Sequence, residues 1–393
     1  MRVVAKIGLI ITIYFIQTLA FATPGVNETT QQISTECQTL DWAASYDPSL
    51  QDQIRDKCSA WNPGTNFTPS NGTGVKLRLN ASTLSDAANS RIPGNNQGSQ
   101  AVGGPKVSTN SKINRHGLNA GDMFSNISVW GSFNRNNLDD DFFNTSYDSD
   151  TNSFLVGADI QPQDNMVAGI AIGYEDTDVD TFFNSGEQDQ DGITIAGYFG
   201  YLINDNFSID ASAGYTSVEY DQSRKATFAD PNFGAVAGST ISSEFDADRY
   251  FIAGNVNGFW VHNNWLLGAN AGLVWGEEDQ DDFTESSGAI SAGFAGQDFE
   301  TGLLRIGGNV AYDNQSGFMP FFGLEYINEF ERDDIVLSPG LAQPENDDDE
   351  FIFTLGLRYF GNQSISGDIN VNVSIGRDDI DNRNAYLMLR TEF

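Results

Sequence analysis

The side chains able to do chemistry are few and scattered. Histidine occurs twice, as His116 in a polar stretch and His262 between Trp260 and Trp265. A Ser-His-carboxylate site needs its histidine beside a serine and an orienting acid, and neither position offers that. The sequence therefore reads as non-enzymatic, with no cofactor and no resident metal. Carboxylates cluster at Asp139-Asp140-Asp141, Glu277-Glu278-Asp279 and Asp347-Asp348-Asp349-Glu350. They offer hard oxygen ligands, but none has EF-hand spacing, so they read as solvated rim charge. Any divalent ion there would bridge them weakly to neighbouring anionic groups. Cys37 and Cys58 are the two cysteines, and in an exported chain such a close pair reads as one disulfide.

A more specific arrangement involves Arg305, Glu325, Arg358 and Asp368. Residues opposite each other across a tight turn have a constant index sum. Positions 305 and 325 centre inside Asp313–Gly317, and 358 and 368 centre inside Gly361–Ser364. Cross-strand partners lie about 5 Å apart, within reach of a charge pair. The four residues read as a charge ladder inside a lumen, ahead of a selectivity constriction. Strands must position them, and the rest of the chain says which.

The chain opens with Arg2 and Lys6, an apolar run Ile7–Leu19, and Ala20-Phe21-Ala22. That is a secretory signal peptide over 1–22, cut after Ala22. Acidic residues outnumber basic ones 54 to 20, for a formal net charge of −34. Such a balance repels phosphate backbones and excludes nucleic acid as a partner. Residues 23–62 read as a short helical two-cysteine module, with two helices between Gln31 and Trp61. Residues 63–119 read as a linker able to enter a lumen, and Ile92–Lys112, broken by prolines and glycines, as its flexible part.

From about residue 120 to Phe393 the texture changes to runs of about ten residues with strict alternation, the length a tilted strand needs to cross a bilayer. Twelve such runs occur. One parity is apolar, as in Met166, Ala168, Ile170, Ile172 and Tyr174, or Trp265, Leu267, Ala269, Ala271, Leu273 and Trp275. The other is small or polar, as in Asp368, Asn370, Asn372 and Ser374. Short turns (Gln161–Asn165, Ile203–Asn206, Val261–Asn264, Asp313–Gly317, Gly361–Ser364) alternate with longer links. Those links, over 134–152, 175–192, 219–248, 277–300, 329–350 and 377–383, hold 38 of the 54 acidic residues. Alternation of tight turns and long links marks an up-and-down membrane barrel with one charged rim. Trp260, Trp265, Tyr174, Tyr215, Trp275, Tyr326 and Tyr359 fall near strand ends, where amphipathic rings suit a headgroup layer.

Ala385–Phe393 alternates to a terminal Phe and resembles the signal read by the bacterial β-barrel assembly machinery, with Leu387, Leu389 and Phe393 on the lipid-facing parity. The fold expected is all-β: a twelve-stranded up-and-down antiparallel transmembrane β-barrel over 120–393. A short, partly helical and partly disordered N-terminal region precedes it.

Several segments carry a family resemblance. NSFLVGADIQPQDNMVAGIAIGYEDTDVD (Asn152–Asp180) resembles the strand, tight turn and strand of an autotransporter β-domain. Gly200-Tyr201-Leu202, Gly214-Tyr215, Asp248-Arg249-Tyr250, Gly258-Phe259-Trp260 and Asn264-Trp265-Leu266-Leu267 match further, and Ala120-Gly121-Asp122 with Val129-Trp130-Gly131 resembles the first strand. The Glu36-Cys37 and Lys57-Cys58 segment is similar to a two-cysteine module found ahead of some such barrels. The resemblance implies a twelve-stranded barrel in the Gram-negative outer membrane, linked to export of an N-terminal passenger. It also implies a lumen helix before the first strand, which Ile92–Lys112 does not supply. Fewer than 100 mature residues precede the barrel, without β-helical repeats or a Gly-Asp-Ser block. The expected role is to anchor or translocate a short N-terminal segment. Its expected partners are outer-membrane lipid, lipopolysaccharide and the assembly machinery, with a surface ligand left open. The alternatives are a small diffusion pore and an adhesin acting through its acidic loops.

Overall fold

A computed structural model describes residues 70–91, 127–142, 146–182, 185–225, 239–287, 290–332, 347–360 and 365–393. Among the described residues one helix, α1 (Ser70–Asn89), precedes the strands. The first seven are β1 (Ile127–Asp140), β2 (Tyr147–Gln163), β3 (Met166–Thr181), β4 (Gly186–Asn204), β5 (Phe207–Lys225), β6 (Thr240–His262) and β7 (Trp265–Gln280). A small hairpin follows, β8 (Phe283–Ser287) and β9 (Ile290–Phe294). The wall resumes with β10 (Asp298–Tyr312), β11 (Phe318–Arg332), β12 (Asp349–Phe360), β13 (Ile365–Ile375) and β14 (Ile380–Glu392). Each wall strand pairs antiparallel with the next, and β1 pairs with β14, from Ser128 opposite Glu392 to Asp140 opposite Ile380. The twelve wall strands thus close into a barrel, which removes every free edge.

Alternation sends one parity out and the other in. Outward Ile170, Ile193 and Ile195 are 70%, 60% and 60% exposed, while their neighbours Ala171 and Thr194 are buried. Water would make such a band costly, and lipid makes it neutral. Aromatic pairs bound the band. Phe207 with Trp260, Trp265 with Tyr312 and Phe318 with Tyr359 ring the short-turn end, at centroid separations of 5.7, 4.9 and 4.9 Å. Tyr215 with Tyr250 and Tyr326 with Phe351 ring the other, at 5.2 and 5.3 Å. Trp265 and Trp275 share one face of β7. Ten residues of tilted strand separate them by about 25 Å, the height of a barrel's apolar band.

Above the second ring the outward parity turns acidic in mid-strand. On β3 it runs Ile170, Ile172, Tyr174 and then Asp176, Asp178, Asp180. This corrects the expected links. The gap after β1 covers 141–146 instead of 134–152, and that after β3 covers 182–185 instead of 175–192. The expectation ends each strand where outward apolar residues stop, but backbone pairing needs no apolar side chain once clear of lipid. Four tight turns fall within their expected spans, and Asn263 takes a positive φ of 55° in one of them, a conformation asparagine tolerates; Gly361–Ser364 lies outside the described residues.

Candidate lumen and its helix

The helix α1 lies inside the barrel, within the stretch expected to be a linker. Its sequence is a poor helix former in isolation, with Gly72 and Gly74 in the first turns and no acid there to meet the dipole. Leu77, Ala81, Leu84 and Ala88 recur at helical spacing, however, and all are fully buried. They pack on the inner faces of the first half of the wall, against Trp130, Leu155, Ala196 and Phe251 among others. Small inward residues make the room. A Cβ on Gly276 would come within 2.5 Å of the Leu77 side chain, and one on Gly157 within 2.4 Å of the Trp130 ring.

Charged and polar anchors fix the helix at both ends. Near its start, Thr73 donates to Glu278 on β7 at 3.1 Å, and Lys76 lies 3.9 Å from Glu175 on β3. Arg249 on β6, fully buried, pairs with both of those glutamates, and the Tyr220 hydroxyl donates to Glu278 as well. One turn on, Arg78 pairs with Glu350 on β12. Arg377, between β13 and β14, binds Glu329 at 3.0 Å and approaches Glu350 at 4.0 Å. Burial alone would lower the Arg377 pKa, but these two carboxylates overcome it and hold the guanidinium charged more firmly than usual.

At the other end Asn89 donates to Asp210 at 2.9 Å and accepts from Ser208 at 3.1 Å. Arg390 on β14 donates to the Ala87 carbonyl at 2.6 Å, a cation on exposed carbonyls at a helix C-terminus. Arg390 and Arg91 share the buried Asp159 carboxylate, at 2.7 and 3.0 Å. Tyr198 donates to the same carboxylate at 2.7 Å and accepts from the Trp130 ring nitrogen at 2.6 Å. Buried ions of this kind persist only when paired on several sides.

These contacts give the helix a direction. Thr73 and Arg78 meet Glu278 and Glu350, on the long-link half of the wall. Asn89 and Arg91 meet Asp210 and Asp159, beside the tight turns after β4 and β2. The Ser70 end of the helix therefore faces the acidic rim, and the Arg91 end faces the short-turn rim.

A family model described as the autotransporter β-domain matches residues 127–372. The chain belongs to this family. Among solved structures, the translocator domain of the autotransporter NalP from Neisseria meningitidis is similar at TM-score 0.62 and 11% identity. That likeness covers 84% of this chain and 100% of that one. The β-domain of the Bordetella autotransporter BrkA is similar at TM-score 0.54 and 13% identity, over 68% of this chain and 99% of that one. At these identities the likeness concerns the fold. No curated protein matches the sequence.

In this autotransporter barrel Arg305, Glu325, Arg358 and Asp368 form two ion pairs. Arg358 and Asp368 are direct register partners with a 3.1 Å ion pair. Arg305 binds Glu325 through one guanidinium nitrogen at 2.9 and 3.1 Å. Their backbones, however, are diagonal: Glu325 lies opposite Gly307, and Arg305 opposite Ile327. The turn centre is one residue later than the expected 315, and long side chains span the offset. Both pairs line a cavity of about 370 Å³ between the second half of the wall and the polar helix face carrying Ser82, Ser85, Asp86 and Asn89. The helix thus leans to one side of the bore and leaves the other open.

Leu387 and Leu389 point outward, opposite Phe133 and Gly131 of β1, and the Phe393 amide donates to the Ile127 carbonyl at 3.1 Å. His262 sits exposed at the end of β6. Among the described residues no group of three or more His, Cys, Asp or Glu is placed to hold a metal ion. Residues 1–22, the Cys37 and Cys58 module, Ile92–Lys112 and His116 lie outside the described residues. Sequence reasoning missed the anchors Asp159, Arg249, Glu278 and Arg390. Their one signal is a charge on the inward parity of a strand whose outward parity is apolar.

Proposed function

We propose that this outer-membrane barrel carries its own short N-terminal segment across the membrane and holds it at the cell surface. The direction of α1 is the observation behind this reading. Its Ser70 end faces the rim of long acidic links, the outer side of a barrel whose tight turns face the periplasm. A chain that leaves that end places the Cys37 and Cys58 module outside. The anchors at both helix ends support a retained helix, and a helix lodged in the bore speaks against an open diffusion pore as the main role. The module carries one disulfide, after removal of a signal peptide ending at Ala22.

Leu387, Leu389 and Phe393 serve the assembly machinery, and the acidic outer face above the upper ring meets lipopolysaccharide. The chain performs no catalysis in this reading. An epitope inserted after Cys58 tests it. Antibody should bind the epitope on intact cells, and binding only after the outer membrane is permeabilised would overturn it.

A further inference from the structure

The lumen is packed on one side of α1 and open on the other. On β2–β5 the inward Leu155, Ala171, Thr194 and Ser212 are buried. On β10–β13 the inward Asn309, Glu325, Arg358 and Asn370 each keep part of their surface free toward the cavity beside the helix. Among the described side chains of α1, Asp86 alone is exposed. It projects into that cavity and faces Arg305, Arg358, Asp368, Tyr386 and Asp210.

The charges in this belt do not cancel. Arg305 is bound to Glu325 and Arg358 to Asp368. The other two arginines on the cavity, Arg78 and Arg390, are committed to Glu350 and Asp159. Asp86 has no ion pair and no side-chain hydrogen bond among the described residues. Asp210 is held by the amides of Asn89, Asn255 and Asn257 instead of a cation. Two guanidinium groups thus stand among four carboxylates, Asp86, Asp210, Glu325 and Asp368. Carboxylates crowded in a lumen of low dielectric repel one another and draw in a cation from solution. Among the described residues no group of three or more His, Cys, Asp or Glu is placed to hold a metal ion, which points to an organic cation. The cavity floor has the matching character. Toward the tight turns, half-buried Phe259 and Phe360 lie over the buried Leu266, Met319 and Phe321, an apolar patch in a barrel interior that is usually polar. The Arg358 guanidinium, which faces Asp86, lies 4.3 Å from the Phe321 ring centroid, so aromatic faces here already accept a cation.

We propose that the open half of the lumen is a binding site for a small amphipathic organic cation, an ammonium carried on an aromatic or short apolar group. The ammonium pairs with Asp86, and the apolar part covers Phe259 and Phe360. A mostly apolar cavity with a few convergent polar groups is the usual form of a small-ligand site.

The test titrates para-fluorobenzylammonium and its neutral isostere para-fluorobenzyl alcohol against the full chain folded in non-ionic detergent. Fluorine NMR reads the binding, with protein-free micelles as the reference. Saturable binding of the ammonium, about tenfold tighter than that of the alcohol, is the expected result. Asp86→Asn should remove that preference while the barrel stays heat-modifiable. Asp221→Asn, on the exposed outward parity of β5, should leave the preference intact. No saturable binding, equal affinity of the two probes, or an unchanged preference in Asp86→Asn overturns the site. Loss of the preference in Asp221→Asn would place the cation on the acidic rim and overturn it as well. Phe360→Ala should weaken both probes about threefold, and unchanged affinities in that variant overturn the proposal even if Asp86→Asn fails to fold.

Discussion

Asp159→Asn should loosen the C-terminal seat of the lumen helix. The Asp159 side chain is 0% exposed and faces two arginines, Arg91 and Arg390, whose side chains are 6% and 2% exposed. Removing one member of a buried ion pair costs about 3–5 kcal/mol, because the remaining charge stays desolvated. Arg91 keeps Glu392 at 3.3 Å, but that carboxylate is 41% exposed, so the lower end of the range applies. About 3 kcal/mol corresponds to a change of roughly 150-fold in the equilibrium for local opening.

Trypsin reads that opening at the Arg91–Ile92 bond. When reclosing is faster than cleavage, the cleavage rate follows the open population. The detergent-solubilised Asp159→Asn barrel, shown to be folded by its heat-modifiable migration, should be cut after Arg91 about a hundredfold faster than wild type. A rise below about threefold would refute the assignment of Asp159 as the buried anchor of that end.

Four further outcomes follow from the same structure. Leu389→Asp places a carboxylate on the lipid face of β14 and should cost about 1 kcal/mol in a denaturant titration in bilayers; no loss would contradict a lipid-facing Leu389. Phe393→Asp should leave export to the periplasm intact but deplete heat-modifiable protein from the outer membrane, as fractionation would show. Burial and then the nearby Asp381 and Asp379 raise the Asp141 carboxyl pKa at the charged rim. A raised carboxyl costs stability above its folded pKa, and the cost is gone below the unfolded value of about 3.9. Asp141→Asn should therefore raise the unfolding temperature at pH 7 and leave it unchanged at pH 3. Alkylation under denaturing conditions before any reductant should find no free thiol at Cys37 or Cys58, and two labelled thiols would reject the disulfide.

The barrel wall is legible because lipid enforces alternation: Ile170 and Ile172 must be apolar, and Gly169 and Gly173 need not be. Strand ends are less legible, since the demand for apolar side chains stops at Tyr174 while pairing continues to Thr181. The Arg358 and Asp368 pair follows from counting across a short turn, and the diagonal pair of Arg305 and Glu325 shows how a one-residue shift of the turn's centre defeats such counting. The helix was hidden for a different reason. Ser70–Asn89 has a weak intrinsic tendency to be helical, and its stability comes from a wall that begins only at Ile127 and closes at Glu392. The family resemblance implies a lumen helix before the first strand, and one is present at Ser70–Asn89, earlier in the chain than Ile92–Lys112.

Paired labelling tests the direction of the chain through the lumen most directly. With Cys37 and Cys58 changed to serine, Thr65→Cys and Pro105→Cys variants would be exposed to a membrane-impermeant maleimide on intact cells. The account predicts that the residue 65 thiol is labelled on intact cells and the residue 105 thiol only after the outer membrane is permeabilised. Labelling of position 105 on intact cells, or protection of position 65, would contradict it.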